Sequence, residues 1–258
     1  MPEKRYLFTP GPTPVPPRVL AALAEPVVHH RGPDFKIVYE RCLGRLKEIF
    51  RTEGDVLLFT SSGTGAMEST VANLCSPGDR VLCVSAGYFG ERFARIARAY
   101  GCDVEELRYA WGEAPSADDL AARLRELGGV HLVLLTQSET STGVVADVQA
   151  LAAAAKDAGA LVAVDAISSL GAVPLETDAW GIDAVASGSQ KALMTPPGLA
   201  MASASPAAWE ASRRARSPRL YFDWETTREA QSRLDAPYTP AVSLVVALDV
   251  ARDRKSVV

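Results

Sequence analysis

Five short apolar runs, at 55–60, 80–85, 131–136, 160–165 and 182–186, alternate with stretches of helical spacing at 64–75, 89–100, 116–127 and 147–158. This alternation constrains the fold more than any other feature of the chain. The runs read as strands, with 103–109 as a further, weaker one and 198–203 as another. Strands that alternate with helices build a mainly parallel sheet covered on both faces. The expected fold class is therefore α/β, a three-layer αβα arrangement around a mainly parallel central sheet. Ligands on such sheets bind at the carboxyl ends of the strands, so the chemistry is sought in the residues that follow each run.

The flanking sequence fits around this frame. Residues 1–25 read as an arm, because Thr9-Pro-Gly-Pro-Thr-Pro-Val-Pro-Pro17 has too few donors and too many fixed φ angles for a helix or a central strand. Such an arm lies over a surface, its own or a partner's, and Pro16 and Pro17 can open a short helix through Leu23. Asp34 to Phe50 has apolar residues at three- and four-residue spacing, with Asp34 available as a cap. Ser116-Ala-Asp-Asp119 resembles a capping box. A helix near 206–216, a polar loop and a helix from about 241 complete the chain. Residues 26–245 form one large domain on this reading, and 246–258 begin a helix leading away from it.

Composition excludes several functions. With 258 residues, 48% hydrophobic, the chain can bury a sizeable core, and its net charge of −4 offers no general attraction to nucleic acid. The cluster Arg213, Arg214, Arg216 and Arg219 reads as a solvated helix face and following loop. Cys42, Cys75, Cys83 and Cys102 lack a CxxC pattern, which favours free thiols in a reducing compartment. His29, His30 and His131 lack metal-ligand spacing. The start of the chain shows no apolar leader and no run reaches membrane-spanning length, so a soluble cytoplasmic protein is expected.

Two strand exits carry the chemistry. The run ending in Ala186 is followed by Ser187-Gly-Ser-Gln-Lys191, and the preceding run ends in Asp165. A lysine that is partly desolvated loses basicity and becomes a nucleophile. A lysine at one strand exit with a carboxylate at the next is the pairing that pyridoxal 5'-phosphate needs: the amine forms the Schiff base and the acid holds the pyridinium proton. Thr60-Ser-Ser-Gly-Thr-Gly-Ala-Met-Glu68 joins a strand to a helix, where exposed N–H groups and the helix dipole suit a phosphate. Gly63-x-Gly65 also begins a dinucleotide fingerprint, but Glu68 stands where its third glycine belongs. Ser85-Ala-Gly-Tyr-Phe-Gly90 brings aromatic rings to a neighbouring exit, and Gln137-Ser-Glu-Thr-Ser-Thr-Gly143 brings hydroxyls to another.

As an ordered set, Thr-Pro-Gly-Pro-Thr-Pro, Ser-Ser-Gly-Thr-Gly-Ala-Met-Glu, Glu-Thr-Ser-Thr-Gly, Val-Asp-Ala-Ile-Ser-Ser-Leu-Gly, Ser-Gly-Ser-Gln-Lys-Ala-Leu and Pro-Tyr-Thr-Pro-Ala-Val-Ser resemble the class-V aminotransferases that depend on pyridoxal phosphate, closest to the alanine/serine–glyoxylate branch. The resemblance runs from about Tyr6 to about Asp253. It implies the large domain of fold type I, transamination between alanine or serine and a 2-oxo acid such as glyoxylate, and a homodimer with shared active sites. It implies that Lys191 is the Schiff-base lysine and proton shuttle, and that Asp165 partners the ring nitrogen. It places Ile167 and Phe89 on the two ring faces, Phe89 where relatives also carry tryptophan. Thr140 would meet the ring hydroxyl, while Ser62, Gly63, Thr64 and Gln190 would hold the phosphate. Tyr238 and Thr239 would reach a phosphate across the dimer, and Gly11 would line the substrate pocket.

The family also continues into a small C-terminal domain whose arginine grips the substrate carboxylate. Nothing here corresponds to it, so a fragment is expected. Two other readings stay open: a lyase or desulfurase reaction on the same scaffold, which for a desulfurase needs a mobile cysteine, and a cofactor-binding fragment without turnover.

Overall fold

The computed structural model describes residues 7–251. In chain order the elements are α1 (Pro17–Leu23), α2 (Pro33–Phe50), β1 (Asp55–Thr60), α3 (Gly63–Leu74), β2 (Arg80–Ser85), α4 (Tyr88–Ala99), β3 (Asp103–Arg108), α5 (Ala117–Leu127), β4 (Leu132–Thr136), β5 (Ser138–Glu139), β6 (Val144–Val145), α6 (Val148–Asp157), β7 (Leu161–Asp165), β8 (Ala184–Gly188), β9 (Leu199–Ala204), α7 (Pro206–Arg214), α8 (Trp224–Ser232) and α9 (Val242–Ala251). Seven strands form one sheet in the order β1-β9-β8-β7-β4-β2-β3. β9 runs antiparallel to β1 and β8, and the pairs from β8 to β3 are parallel. This is the expected α/β sandwich.

Alternation along each strand divides the core in two. On one face Val56, Leu82, Val133, Val162, Val185 and Met201 pack with apolar residues of α2, α5, α6 and α9. On the other, Leu57, Cys83, Leu134, Ala163, Ala186 and Ala202 pack with α3, α4, α7 and α8. On that second face β7, β8 and β9 present mostly alanine: Ala163, Ala184, Ala186, Ala200, Ala202 and Ala204. Small side chains let α3 settle close to the sheet. At the strand exit the approach tightens further, since a Cβ on Gly188 would lie 3.2 Å from Gly63 Cα. The close fit brings the first turn of α3 against the end of β8, and this contact places the site.

Several sequence expectations change. The run at 182–186 pairs only from Ala184, because Asp183 is buried and serves as a hub: its Oδ2 accepts from Lys156 Nζ at 2.8 Å and Val162 N at 2.9 Å, and its Oδ1 from Ser205 Oγ at 2.9 Å. Asp34 does not cap α2. Pro33 takes the first helical position and Gly32 the cap position, with no side-chain cap bond. The stretch after α7, read as a polar loop, contains α8, anchored by Trp224, Thr227 and Ala230. Arg219 is not a solvated side chain: it is 16% exposed and donates to Asp223 Oδ2 at 3.1 Å and Ser212 O at 2.9 Å. Ser116 does cap α5, accepting from Asp119 N at 3.3 Å. The four cysteines are free and buried. Among the described residues no helix is long and apolar enough to cross a membrane.

Candidate active site

A cavity of about 330 Å³ opens at the carboxyl ends of β1, β2, β4, β7 and β8. Lys191 and Asp165 both line it, with Ser62, Gly63, Thr64, Phe89, Thr140, Ile167, Gln190 and Gly11. Ten of the twelve residues expected at the site thus meet in one space. Tyr238 and Thr239 do not line it. Tyr238 is exposed, stacks on Tyr221 with ring centroids 5.2 Å apart, and donates its hydroxyl to Leu220 O at 3.2 Å.

Lys191 sits on a braced turn just beyond β8. Its carbonyl accepts from Thr13 Oγ1 at 2.9 Å and Met194 N at 2.9 Å, while Ser189 Oγ donates to Pro196 O at 2.7 Å. Thr13 N also donates to Gln190 O at 3.0 Å, so the arm lies over the chain's own site. A Cβ on Gly11 would fall 2.5 Å from Lys191 Cδ, so glycine there gives the lysine side chain its path into the cavity. Burial holds the Lys191 amine below the ordinary lysine range, and the Asp165 charge pulls it partly back.

Asp165 ends β7 and is 4% exposed. Burial pushes its carboxyl up to about 7, the Ile167 amide at 2.9 Å draws it back, Glu139 raises it further, and the charges of Arg92 and Lys191 lower it. Thr140 Oγ1 and Ser168 Oγ lie 2.7 Å apart at the cavity wall.

The phosphate end is set by α3. The leading N–H groups of a helix have no acceptor within it. Ser62 holds the cap position, yet its side chain makes no cap bond, so the hydroxyl remains available to the cavity it lines. Gln190 Oε1 is buried and without a hydrogen-bond partner. A Cβ on Gly63 would lie 2.7 Å from Ile167 Cδ1, so glycine leaves room between the helix start and the side chain expected under the ring. An open cap hydroxyl, an orphaned amide oxygen and a glycine cradle at a helix N-terminus fit a phosphorylated ring whose nitrogen meets Asp165.

Sequence reasoning missed Pro12, Arg92, Ser138, Ser168 and Pro197 in the lining. Glu139 was also missed. It is 2% exposed and its oxygens accept from Phe89 N at 3.0 Å, Gly90 N at 3.1 Å, Ser141 N at 3.1 Å and Ser141 Oγ at 2.6 Å. It thereby caps α4 from another strand exit and fixes where Phe89 stands. Glu139→Gln replaces one accepting oxygen by a donor facing donors. The variant is expected to lose roughly 1.5–3 kcal/mol of stability, read by urea denaturation. An unchanged midpoint would show that the cap is dispensable.

A lysine and a buried carboxylate near a helix N-terminus, at the strand ends of an α/β sheet, are compatible with a site of the pyridoxal-phosphate type. The sequence matches the Aminotransferase class-V family over residues 5–251, and the chain belongs to that family. Membership implies pyridoxal phosphate as the cofactor. The chain is 44% identical to the soluble hydrogenase 42 kDa subunit of Anabaena cylindrica over 251 residues, covering 96% of this chain and 66% of that protein. It is 38% identical to the L-aspartate–glyoxylate aminotransferase of Paracoccus denitrificans over 259 residues, covering 98% and 65%. Among solved structures, the subgroup IV aspartate aminotransferase of Thermus thermophilus matches with TM-score 0.91 and 43% identity, covering 96% of this chain and 70% of that one. The chain thus spans just under two thirds of these curated relatives' length.

Proposed function

We propose that this chain holds pyridoxal phosphate for amino transfer from a small amino acid, alanine or serine, to a 2-oxo acid such as glyoxylate. The observation that carries this reading is the convergence of Lys191 and Asp165 on one cavity whose far end is the start of α3. The cofactor, when bound, supplies a carbonyl carbon that reacts with amines and a protonated ring that draws electrons.

The chain's own groups supply the rest. Asp165 would face the ring nitrogen and help keep it protonated. Ile167 and Phe89 would confine the ring, Thr140 would meet its hydroxyl, and Ser62, Gly63, Thr64 and Gln190 would hold the phosphate. Lys191 Nζ, its basicity reduced by burial, would be suited to hold and move the proton taken from the donor's Cα. Gly11 and the described part of the arm, residues 7–25, would cover the substrate side, residues 26–245 would be the cofactor-binding domain, and 246–251 continue α9 beyond it, while residues 1–6 and 252–258 of the expected arm and final helix lie outside the described residues. Tyr238 and Thr239, exposed beside the cavity end of β1, would serve a second copy in a homodimer. Free buried thiols support a cytoplasmic setting.

A desulfurase reading finds less support, since the Cys42 thiol is buried and pushed up to about 12 and the Cys83 thiol is raised by burial too. The test is glycine formation from glyoxylate by the purified chain with pyridoxal phosphate and alanine, serine or aspartate. Aspartate is included because the Paracoccus relative is named for it. Cofactor uptake without glycine from any donor would sink the transfer reading and leave a binding module.

A further inference from the structure

We infer that Arg92 is a positioning residue for the cofactor's phosphate, a role that rests on the pyridoxal-phosphate reading of the cavity. Arg92 lines that cavity from α4. Its Cζ lies 4.8 Å from the centre of the Phe89 ring, and its Nη1 donates to Thr64 Oγ1 at 3.1 Å. One side chain therefore bridges the ring-stacking residue and the second residue of α3. Cation–ring contact fixes the guanidinium plane against Phe89, and the hydroxyl bond aims its edge at the helix start.

The charge balance shows what the bridge is for. Among the described residues no carboxylate lies within ion-pair distance of Arg92. On the same helix Arg98 pairs with Glu106. The nearby Glu139 is saturated by the amides of Phe89, Gly90 and Ser141 and the Ser141 hydroxyl. Arg92 thus adds a positive charge without an ion-pair partner, offset only at longer range by Asp165, beside a helix N-terminus that is itself positive. That arrangement suits an anion with room for several donors. A phosphate dianion fits, with the guanidinium neutralising charge that the helix amides and hydroxyls alone would share. In this placement Arg92 also orients the Thr64 hydroxyl, which accepts from the guanidinium and so turns its own hydrogen elsewhere, toward the anion.

The test compares pyridoxal phosphate with pyridoxal, which lacks the phosphate, by equilibrium absorbance titration of the wild-type chain and of Arg92→Gln and Arg92→Lys. Arg92→Gln is expected to weaken pyridoxal phosphate roughly 10- to 100-fold while pyridoxal affinity stays as in the wild type. Arg92→Lys is expected to recover part of the preference, because the charge survives and the fork does not. Equal weakening of both compounds would mean that Arg92 only braces Phe89, and would overturn the inference. So would unchanged affinity for both, including the case in which only the KM for the amino donor rises and Arg92 serves a substrate carboxylate. A wild-type chain that takes up neither compound would remove the cofactor reading itself, a failure seen without any variant.

Discussion

Lys191→Ala is expected to lose covalent capture of pyridoxal phosphate and to lower glycine formation from glyoxylate by roughly a hundred- to ten-thousandfold. The size of the effect follows from two duties on one nitrogen: attachment and proton movement at the donor's Cα. Among the described residues no other lysine lines the cavity to take over either duty. The fold should hardly respond. Lys191's backbone carbonyl stays bonded to Thr13 and Met194, and losing the amine only removes a longer-range charge that eases Asp165. Stability within about 0.5 kcal/mol of wild type is expected, and circular dichroism with urea denaturation would show it. Borohydride treatment with one equivalent of cofactor, followed by peptide mass spectrometry, reads the attachment point. Stoichiometric labelling of the alanine variant at a different lysine would retire the assignment.

How much of this was legible in the sequence depends on distance along the chain. The strand at Asp55–Thr60 and the strand at Arg80–Ser85 coincide with their apolar runs, because turn residues bracket the runs and the strands are buried along their length. The strand at Ala184–Gly188 starts two residues after the run at 182–186 begins, since Asp183 within that run is a buried junction between β7, α6 and the start of α7. α8 escaped notice because its buried face is Trp224, Thr227 and Ala230, too polar and too small to show apolar periodicity.

The site shows the same divide. Residues that belong to a strand exit, such as Asp165, Lys191 and Thr64, announce themselves by local pattern. Arg92 and Glu139 do not, because what they do is set by partners on other elements: Thr64 for the arginine, and the start of α4 for the glutamate. Neither partner can be read from neighbouring residues. The glycines sit between these cases. Gly63 and Gly11 were legible as part of motifs, but their reason is a close approach, to Ile167 and to Lys191, that only the folded chain reveals.

Asp165→Asn is expected to make the ligand-free chain more stable at pH 8 while weakening its hold on the cofactor. Asp165 titrates at about 7 in the folded chain against 3.8 for an ordinary aspartate, and burial is the largest cause. The folded state therefore binds this proton more tightly than the unfolded state. Between about pH 4 and pH 7 the unfolded chain has released the proton and the folded chain has not, so stability falls as pH rises through that window. Above it the buried carboxylate is charged, and the cost reaches at most about 4 kcal/mol. Asparagine keeps the shape and can still accept from the Ile167 amide, but carries no charge. Its stability should be flat where the wild type declines, with a melting temperature at pH 8 higher by several degrees. Pyridoxal phosphate should reverse the order, because a protonated ring nitrogen gives the carboxylate the partner it lacks and gives asparagine almost nothing. Urea denaturation at pH 5 and pH 8, with and without cofactor, reads all four corners. If wild type and variant were equally stable at both pH values without ligand, Asp165 would carry no buried-charge penalty. The reading of Asp165 as a buried carboxylate kept for a cationic ring would then fail.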